Sequence, residues 1–301
     1  MKKALFTLLI LFFGATARLE AQTSAPFPYI SIPQIFTSPD EENRWLALHF
    51  WDKYNFSNIH QYSTEVTEQG FMEFLEVLKT VPVPVAIEAV EEMMNLAAAS
   101  EDGYWCQIEM AEVMLYDPSS PLRNDLLWEP IMRHALSDKS PLDEESKVRY
   151  HNLLRVVCRN QIGTPAANFA YTLPNGRQGT LYDLKAEYTL LYFYNPGCSE
   201  CLRTKEAIMA SGDLEFLHQM GVLKVLAIYP DKEVGEWRRR LSENPSWWIS
   251  AYDKGSIINS QELYDLKAIP TIYLLDSQKR VLLKDPTPEN LNRAIAMLAG
   301  N

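Results

Sequence analysis

"TLLYFYNPGCSEC", residues 189–201, runs from six apolar or β-favouring residues into Asn-Pro-Gly and two cysteines spaced two residues apart. Such a run, closed by turn-forming residues, is the pattern of a buried strand. From about Ser199 to Met220 the periodicity is helical, so Cys198 stands at a strand-to-helix junction and Cys201 one turn into the helix. Residues three apart on a helix lie roughly 5–6 Å apart, a spacing that suits a disulfide. The positive end of a helix also stabilises a thiolate. Cys198 is therefore the candidate exposed nucleophile, and Cys201 the thiol that resolves the mixed disulfide.

Two other readings of the pair are weaker. A purely structural staple gains little here, because so short a ring hardly constrains the unfolded chain. A metal site needs about four ligands. Cys106 and Cys158 lie singly elsewhere, and His49, His60, His134, His151 and His218 form no pair at ligand spacing. Cys106 and Cys158 read as buried packing residues or as a second disulfide.

Downstream, short apolar strands alternate with helical stretches: "LKVLAIYP" (223–230), then a helix around Glu233 to Leu241. "PTIYLLD" (270–276) and "RVLLKD" (280–285) flank a tight turn, and Pro288 to Leu298 closes the chain as a helix. Strands joined through helices run parallel, so this half is an α/β fold with a mixed central sheet covered by helices. "ANFAYTLPNGRQGTLYDL" ahead of it reads as an added hairpin turning at Pro174-Asn175-Gly176.

Upstream, from about Ser31 to Asn160, the grammar is all-α. Segments 67–79, 84–99, 104–116 and 143–158 carry helical periodicity, giving five or six helices, no strand and no fixed repeat. Ser38-Pro39, Ser120-Pro121 and Ser140-Pro141 each read as a helix start, with serine as the cap and proline at the first helical position. Trp45, Leu48, Trp51 and Tyr54 recur at intervals of three along one apolar face.

The first residues belong to neither half. Lys2 and Lys3 precede an apolar run from Ala4 to Phe13, followed by Ala15, Thr16 and Ala17. That is the order of a secretory signal, and the run is shorter than the roughly 20 residues that span a bilayer. The expected division is a signal peptide at 1–21, a helical domain at 22–160 and an α/β domain at 163–301. Export implies the periplasm, an oxidising compartment. An uncleaved N-terminal anchor is the alternative.

The 301 residues carry 28 Lys and Arg against 39 Asp and Glu, a net charge of -11. A phosphate backbone would repel this chain, so nucleic-acid binding is not expected. The run Arg238-Arg239-Arg240 reads as a solvated helix face.

"LLYFYNPGCSEC" together with "AIPTIYLLD" resembles the thioredoxin superfamily, specifically its exported TlpA/ResA-like branch, over residues 163 to 299. The helical half resembles an uncharacterised domain that precedes such domains in exported bacterial proteins, through "RWLALHFWDKYNF" and "MLYDPSSPLRND". The resemblance implies that Cys198 attacks, that Cys201 resolves, and that Pro270 is a cis-proline whose preceding residue, Ile269, presents backbone to the substrate. Tyr194 falls on an aromatic position of the family. Two departures stand out. Tyr192 occupies the place of a buried proton-transfer aspartate, with Glu187 the nearest acidic residue, and Gly197 replaces a tryptophan. Asn195 stands where peroxiredoxins carry a threonine, which argues against a peroxidase.

The expected function is a periplasmic thiol–disulfide oxidoreductase, acting as a reductase on exported protein thiols or disulfides. It needs no metal or organic cofactor and takes electrons from a membrane or periplasmic donor. The alternative is an envelope protein-binding module, whose helical domain recognises a partner while the thioredoxin fold docks it. Trp247-Trp248 reads as core packing or a substrate patch.

Overall fold

The computed structural model describes residues 24–300; the signal-like stretch lies outside them. Six α-helices build the first half: α1 (Pro39–His49), α2 (Thr64–Leu78), α3 (Val83–Ala97), α4 (Glu101–Ala111), α5 (Asp125–Ala135) and α6 (Glu144–Val157). A 3-10 segment, Phe56–Gln61, precedes α2, and a π-turn, Glu112–Tyr116, extends α4. One apolar core unites them, with Trp128, Tyr104, Tyr150, Phe71 and Phe74 among its largest buried side chains. Trp51 and Tyr54 are buried as expected, although α1 stops at His49 and they lie beyond it.

Only one of the three serine–proline starts is a helix start. Ser38 caps α1 by accepting the Glu41 N–H, but α5 is capped by Asn124 and α6 by Asp143. Ser120 and Ser140 instead accept the N–H of Leu122 and Leu142, two residues on. Such a local turn competes with helix initiation and delays it.

The second half is a seven-stranded sheet with the order β2-β1-β5-β4-β3-β6-β7. Its strands are β1 (Ala170–Thr172), β2 (Gln178–Thr180), β3 (Tyr188–Phe193), β4 (Leu223–Tyr229), β5 (Ile249–Tyr252), β6 (Thr271–Leu275) and β7 (Val281–Lys284). β3, β4 and β5 run parallel, joined by α7 (Ser199–Met209), α8 (Asp213–Gln219) and α9 (Val234–Arg239). The single helix expected from Ser199 to Met220 is two, because Gly212 adopts φ 77° between them. β5, which the sequence reading missed, connects the hairpin β1–β2 to the parallel strands. α10 (Ile257–Ser260) follows it, and α11 (Pro288–Ala299) covers the sheet near α7 and α8.

Period-two alternation sorts the central strands. Leu190, Tyr192 and Tyr194 face one core, while Leu191 and Phe193 face the other. Both faces of the sheet are covered, which explains the unbroken apolar run of β3.

The two halves are tied by charge as well as by chain. The Asp125 carboxylate lies 2.7 Å from Lys284 Nζ and 3.4 Å from Lys267 Nζ, with Lys267 over the Tyr116 ring at 4.3 Å. Arg123 donates to the Asp285 carbonyl at 3.1 Å and lies 3.4 Å from its carboxylate. At the junction, Asn160 donates to the Leu263 carbonyl and accepts the Ala167 N–H.

Candidate active site

Three segments meet at the C-terminal end of β3. The chain turns through Asn195-Pro196-Gly197, with Gly197 at φ 72°, and enters α7 with Cys198 as its N-cap. The Cys198 Sγ accepts the Cys201 backbone N–H at 3.1 Å. A sulfur thus sits where a serine or aspartate oxygen usually caps a helix, facing the partial positive charge of the first turn.

The second segment arrives through strand pairing. β6 runs antiparallel to β3 with Phe193 opposite Thr271, so Pro270, one residue earlier, comes alongside the turn that holds Cys198. The Ile269–Pro270 peptide is cis. Ile269 O lies 3.8 Å from Cys198 Sγ, presenting a backbone acceptor beside the sulfur.

The two sulfurs differ in access. Cys198 is half-buried and Cys201 buried, and both are thiols here. Burial pushes the Cys201 thiol up to about 12, and its hydrogen bond with Cys198 adds to the rise. Cys201 therefore holds its proton until the chemistry supplies a reason to lose it.

Beneath the pair lies an aromatic floor. The Tyr192 hydroxyl donates to the Cys201 carbonyl at 2.5 Å, and its ring packs on Tyr194 and Trp248. Tyr194 OH accepts from Trp237 Nε1 at 2.9 Å. Burial pushes the phenol of Tyr192 far above its usual range, so Tyr192 is no substitute for a proton-accepting carboxylate. Glu187 is exposed just ahead of β3, at the end opposite the cysteines. Glu200 is paired with Arg203. Trp248 lies in the core, and Trp247 stacks on His218.

One contact escaped sequence reading. Glu243 accepts the Gly197 N–H at 3.2 Å and the Arg240 guanidinium at 2.7 Å, beside the cysteine turn. Burial pushes its carboxyl up, but the Arg240 and Gly197 hydrogen bonds outweigh it and hold the group below its ordinary value. Arg240 is exposed, as expected of the Arg238–Arg240 run, but it is also paired with Glu236 and Glu243. The only sequence signal was the Glu236, Arg240, Glu243 spacing along that segment.

Cys106 and Cys158 are free and half-buried, with Cys158 Sγ 3.7 Å from an Arg133 nitrogen. Burial pushes both thiols up. Among the described residues no group of three or more His, Cys, Asp or Glu could hold a metal ion.

Residues 14–160 match a family described as "Domain of unknown function (DUF5106)". No functionally curated protein matches the chain. The crystal structure of a thioredoxin-like protein from Bacteroides caccae is 38% identical, covering 91% of this chain and 99% of that one at a TM-score of 0.87. The C-terminal domain of an uncharacterized Bacteroides fragilis protein is 47% identical over 46% of this chain and 98% of its own, at a TM-score of 0.44. The thioredoxin domain of a thiol-disulfide oxidoreductase from Bacteroides vulgatus is 19% identical, over 46% and 98%, at a TM-score of 0.41. The 38% identity to the Bacteroides caccae protein, over 91% of this chain and 99% of that one, agrees with the fold and with the geometry around Cys198: the chain belongs to the thioredoxin-like family.

Proposed function

We propose that the protein is an exported thiol–disulfide reductase of the TlpA/ResA-like branch, working in the periplasm on disulfides of exported proteins. The observation that carries this reading is the asymmetry of the pair. Cys198 caps a helix with its Sγ on the Ile269 backbone carbonyl, while Cys201 waits, buried and protonated, one turn behind.

The Cys198 thiolate attacks one sulfur of a substrate disulfide. A Cys198–substrate S–S bond forms, the substrate S–S bond breaks, and the departing sulfur takes up a proton. Cys201 then loses its proton and attacks Cys198 Sγ, forming the Cys198–Cys201 disulfide and releasing the second substrate sulfur, which is protonated in turn. The substrate gains two electrons and two protons, and the protein loses the same. A dithiol donor in the membrane or periplasm restores the reduced pair.

Direction follows from stabilisation. An oxidant of this kind is one whose reduced form is stabilised as a thiolate. The burial that pushes Cys201 up removes that help from one of the two sulfurs, which favours giving electrons away. Export rests on the signal-like order of Lys2, Lys3 and the run to Phe13. No helix among the described residues is long and apolar enough to cross a membrane.

Two measurements test the reading. Cys201→Ser should accumulate mixed disulfides through Cys198, and trapping that survives Cys198→Ser would sink the assignment. Equilibration against dithiothreitol buffers should place the couple below roughly -200 mV, and a value near about -120 mV would make it an oxidase.

A further inference from the structure

The helical half carries a second cleft. About 970 Å³ in volume, it opens between the 3-10 segment, α2, α4 with its π-turn, and the loop 117–122. α4 turns Tyr104 and Ile108 into the core, yet its outward side is also apolar: Trp105 and Met110 are half-buried, and Val113 on the π-turn is 62% exposed. A helix apolar on both sides needs a second partner.

The rim is acidic. Glu68, Asp102, Glu109 and Asp117 line the cleft, and no lysine or arginine does. Neither Glu68 nor Glu109 makes an ion pair among the described residues. The cleft also shares a wall with the active site. Ser119, Ser120 and Pro121 border it and border a groove of about 490 Å³ lined by Glu200, Thr204, Ile269 and Pro270.

We propose that this cleft holds an extended stretch of the disulfide substrate itself, apolar and flanked by lysine or arginine, on the chain that carries the attacked cysteine. The proposal rests on the thiol–disulfide reading above. The groove beside Ile269 and Pro270 takes the residues next to the cysteine, and the helical cleft takes a segment farther along. Apolar side chains cover Trp105, Met110 and Val113, and basic ones meet the unpaired acids. The helical domain thereby selects among substrates that the cysteine pair alone would treat alike.

The probes are peptide dimers joined by a single disulfide. One is dimeric Ala-Cys-Ala; a second extends the same core with Lys-Leu-Phe-Lys; a third carries Glu-Leu-Phe-Glu instead. Reduced protein is mixed with each dimer and acid-quenched, and the oxidised fraction gives a rate constant. The lysine dimer should react about tenfold faster than the short one, and the glutamate dimer should not. Val113→Arg, an exposed position, and the double variant Glu68→Gln/Glu109→Gln should each bring the lysine dimer close to the short one, which itself is unchanged.

Equal rates for all three dimers, or a preference that survives both variants, overturns the cleft while leaving the redox reading intact. No reaction even of the short dimer overturns the redox reading. The cleft is then judged by anisotropy of a fluorescein-labelled lysine peptide with serine in place of cysteine. Binding lost in Val113→Arg supports it, and no binding by the wild type, or binding that survives the variant, removes it.

Discussion

Cys198 and Cys201 lie in the sheet half, Cys106 and Cys158 in the helical half, and all four are thiols of one chain. Their surroundings differ in one decisive respect. Cys198 receives a backbone N–H at the start of a helix and stands 3.8 Å from the Ile269 carbonyl oxygen. Cys106 sits within α4, where backbone N–H groups are already committed to the helix, and Cys158 is the C-cap of α6, at the negative end. The first place points an N–H at the sulfur, whereas at the last burial pushes the thiol up. On the proposed function, position along a helix, rather than the presence of sulfur, separates redox chemistry from packing.

The largest expected effect breaks or upholds that contrast directly. Cys198→Ser should lower peptide-disulfide reduction by a factor of at least about 1,000, whereas Cys106→Ser and Cys158→Ser should each stay within about twofold. Rate constants on one peptide dimer decide it. A comparable loss in Cys106→Ser or Cys158→Ser would mean that the helical half takes part in electron transfer.

Next in size is the seam between the halves. Asp125 holds both Lys267 and Lys284, whose side chains are only 10% and 5% exposed. Asp125→Ala leaves Lys284 with the Val157 carbonyl and Lys267 with Asp265 and the Tyr116 ring, so it should cost about 2 kcal/mol in urea unfolding, short of the full penalty of an unpaired buried charge. Since Lys267 leads straight into Ile269 and Pro270, the activity should fall as well. Unchanged stability would show the halves to be joined by packing alone.

Within the sheet half, Gly197→Ala should cost about 1–2 kcal/mol. The residue sits at φ 72°, and an added Cβ would come within 3.2 Å of the Arg240 guanidinium carbon, pressing on the Arg240–Glu243 contact. Denaturant midpoints for Gly197→Ala against Gly176→Ala separate the two causes. Gly176 has φ 86° but open space around it, so equal losses would leave backbone conformation as the whole effect.

These predictions also mark how far sequence reading reaches. β3, β4 and β6 were legible because strands covered on both faces read as unbroken apolar runs. β5 was not: it is four residues long, follows Pro245 and a tryptophan pair, and only its last two residues are buried. Cys198 and Cys201 were legible from their spacing at a strand-to-helix junction, whereas Pro270 stood out only through the resemblance to the thioredoxin superfamily. The partners of Gly197 and Lys267 lie 46 and 142 residues away along the chain, and no local pattern encodes such meetings.

The smallest effect concerns acid, to which the two regions answer with opposite sign. His134 is buried in the helical core, its Nδ1 2.8 Å from Tyr104 OH and its Nε2 3.3 Å from Asn95 Oδ1. Burial, and then the charge of Lys139, pull its pKa below the usual 6.5. The unfolded chain therefore takes up this proton first as pH falls, and the folded state loses stability below about pH 6.5. At the seam, burial pushes the Asp265 and Asp285 carboxyls up. There the folded state binds protons more readily, so these groups favour folding at low pH and lose that contribution as pH rises above their ordinary 3.8. Between pH 7 and pH 5 a single proton gives a slope of at most about 1.4 kcal/mol per pH unit. Urea unfolding of wild type and His134→Gln at pH 7, 6 and 5 measures it. The variant should be less stable at pH 7 but flatter across the series, and parallel profiles would place the acid response outside the helical core.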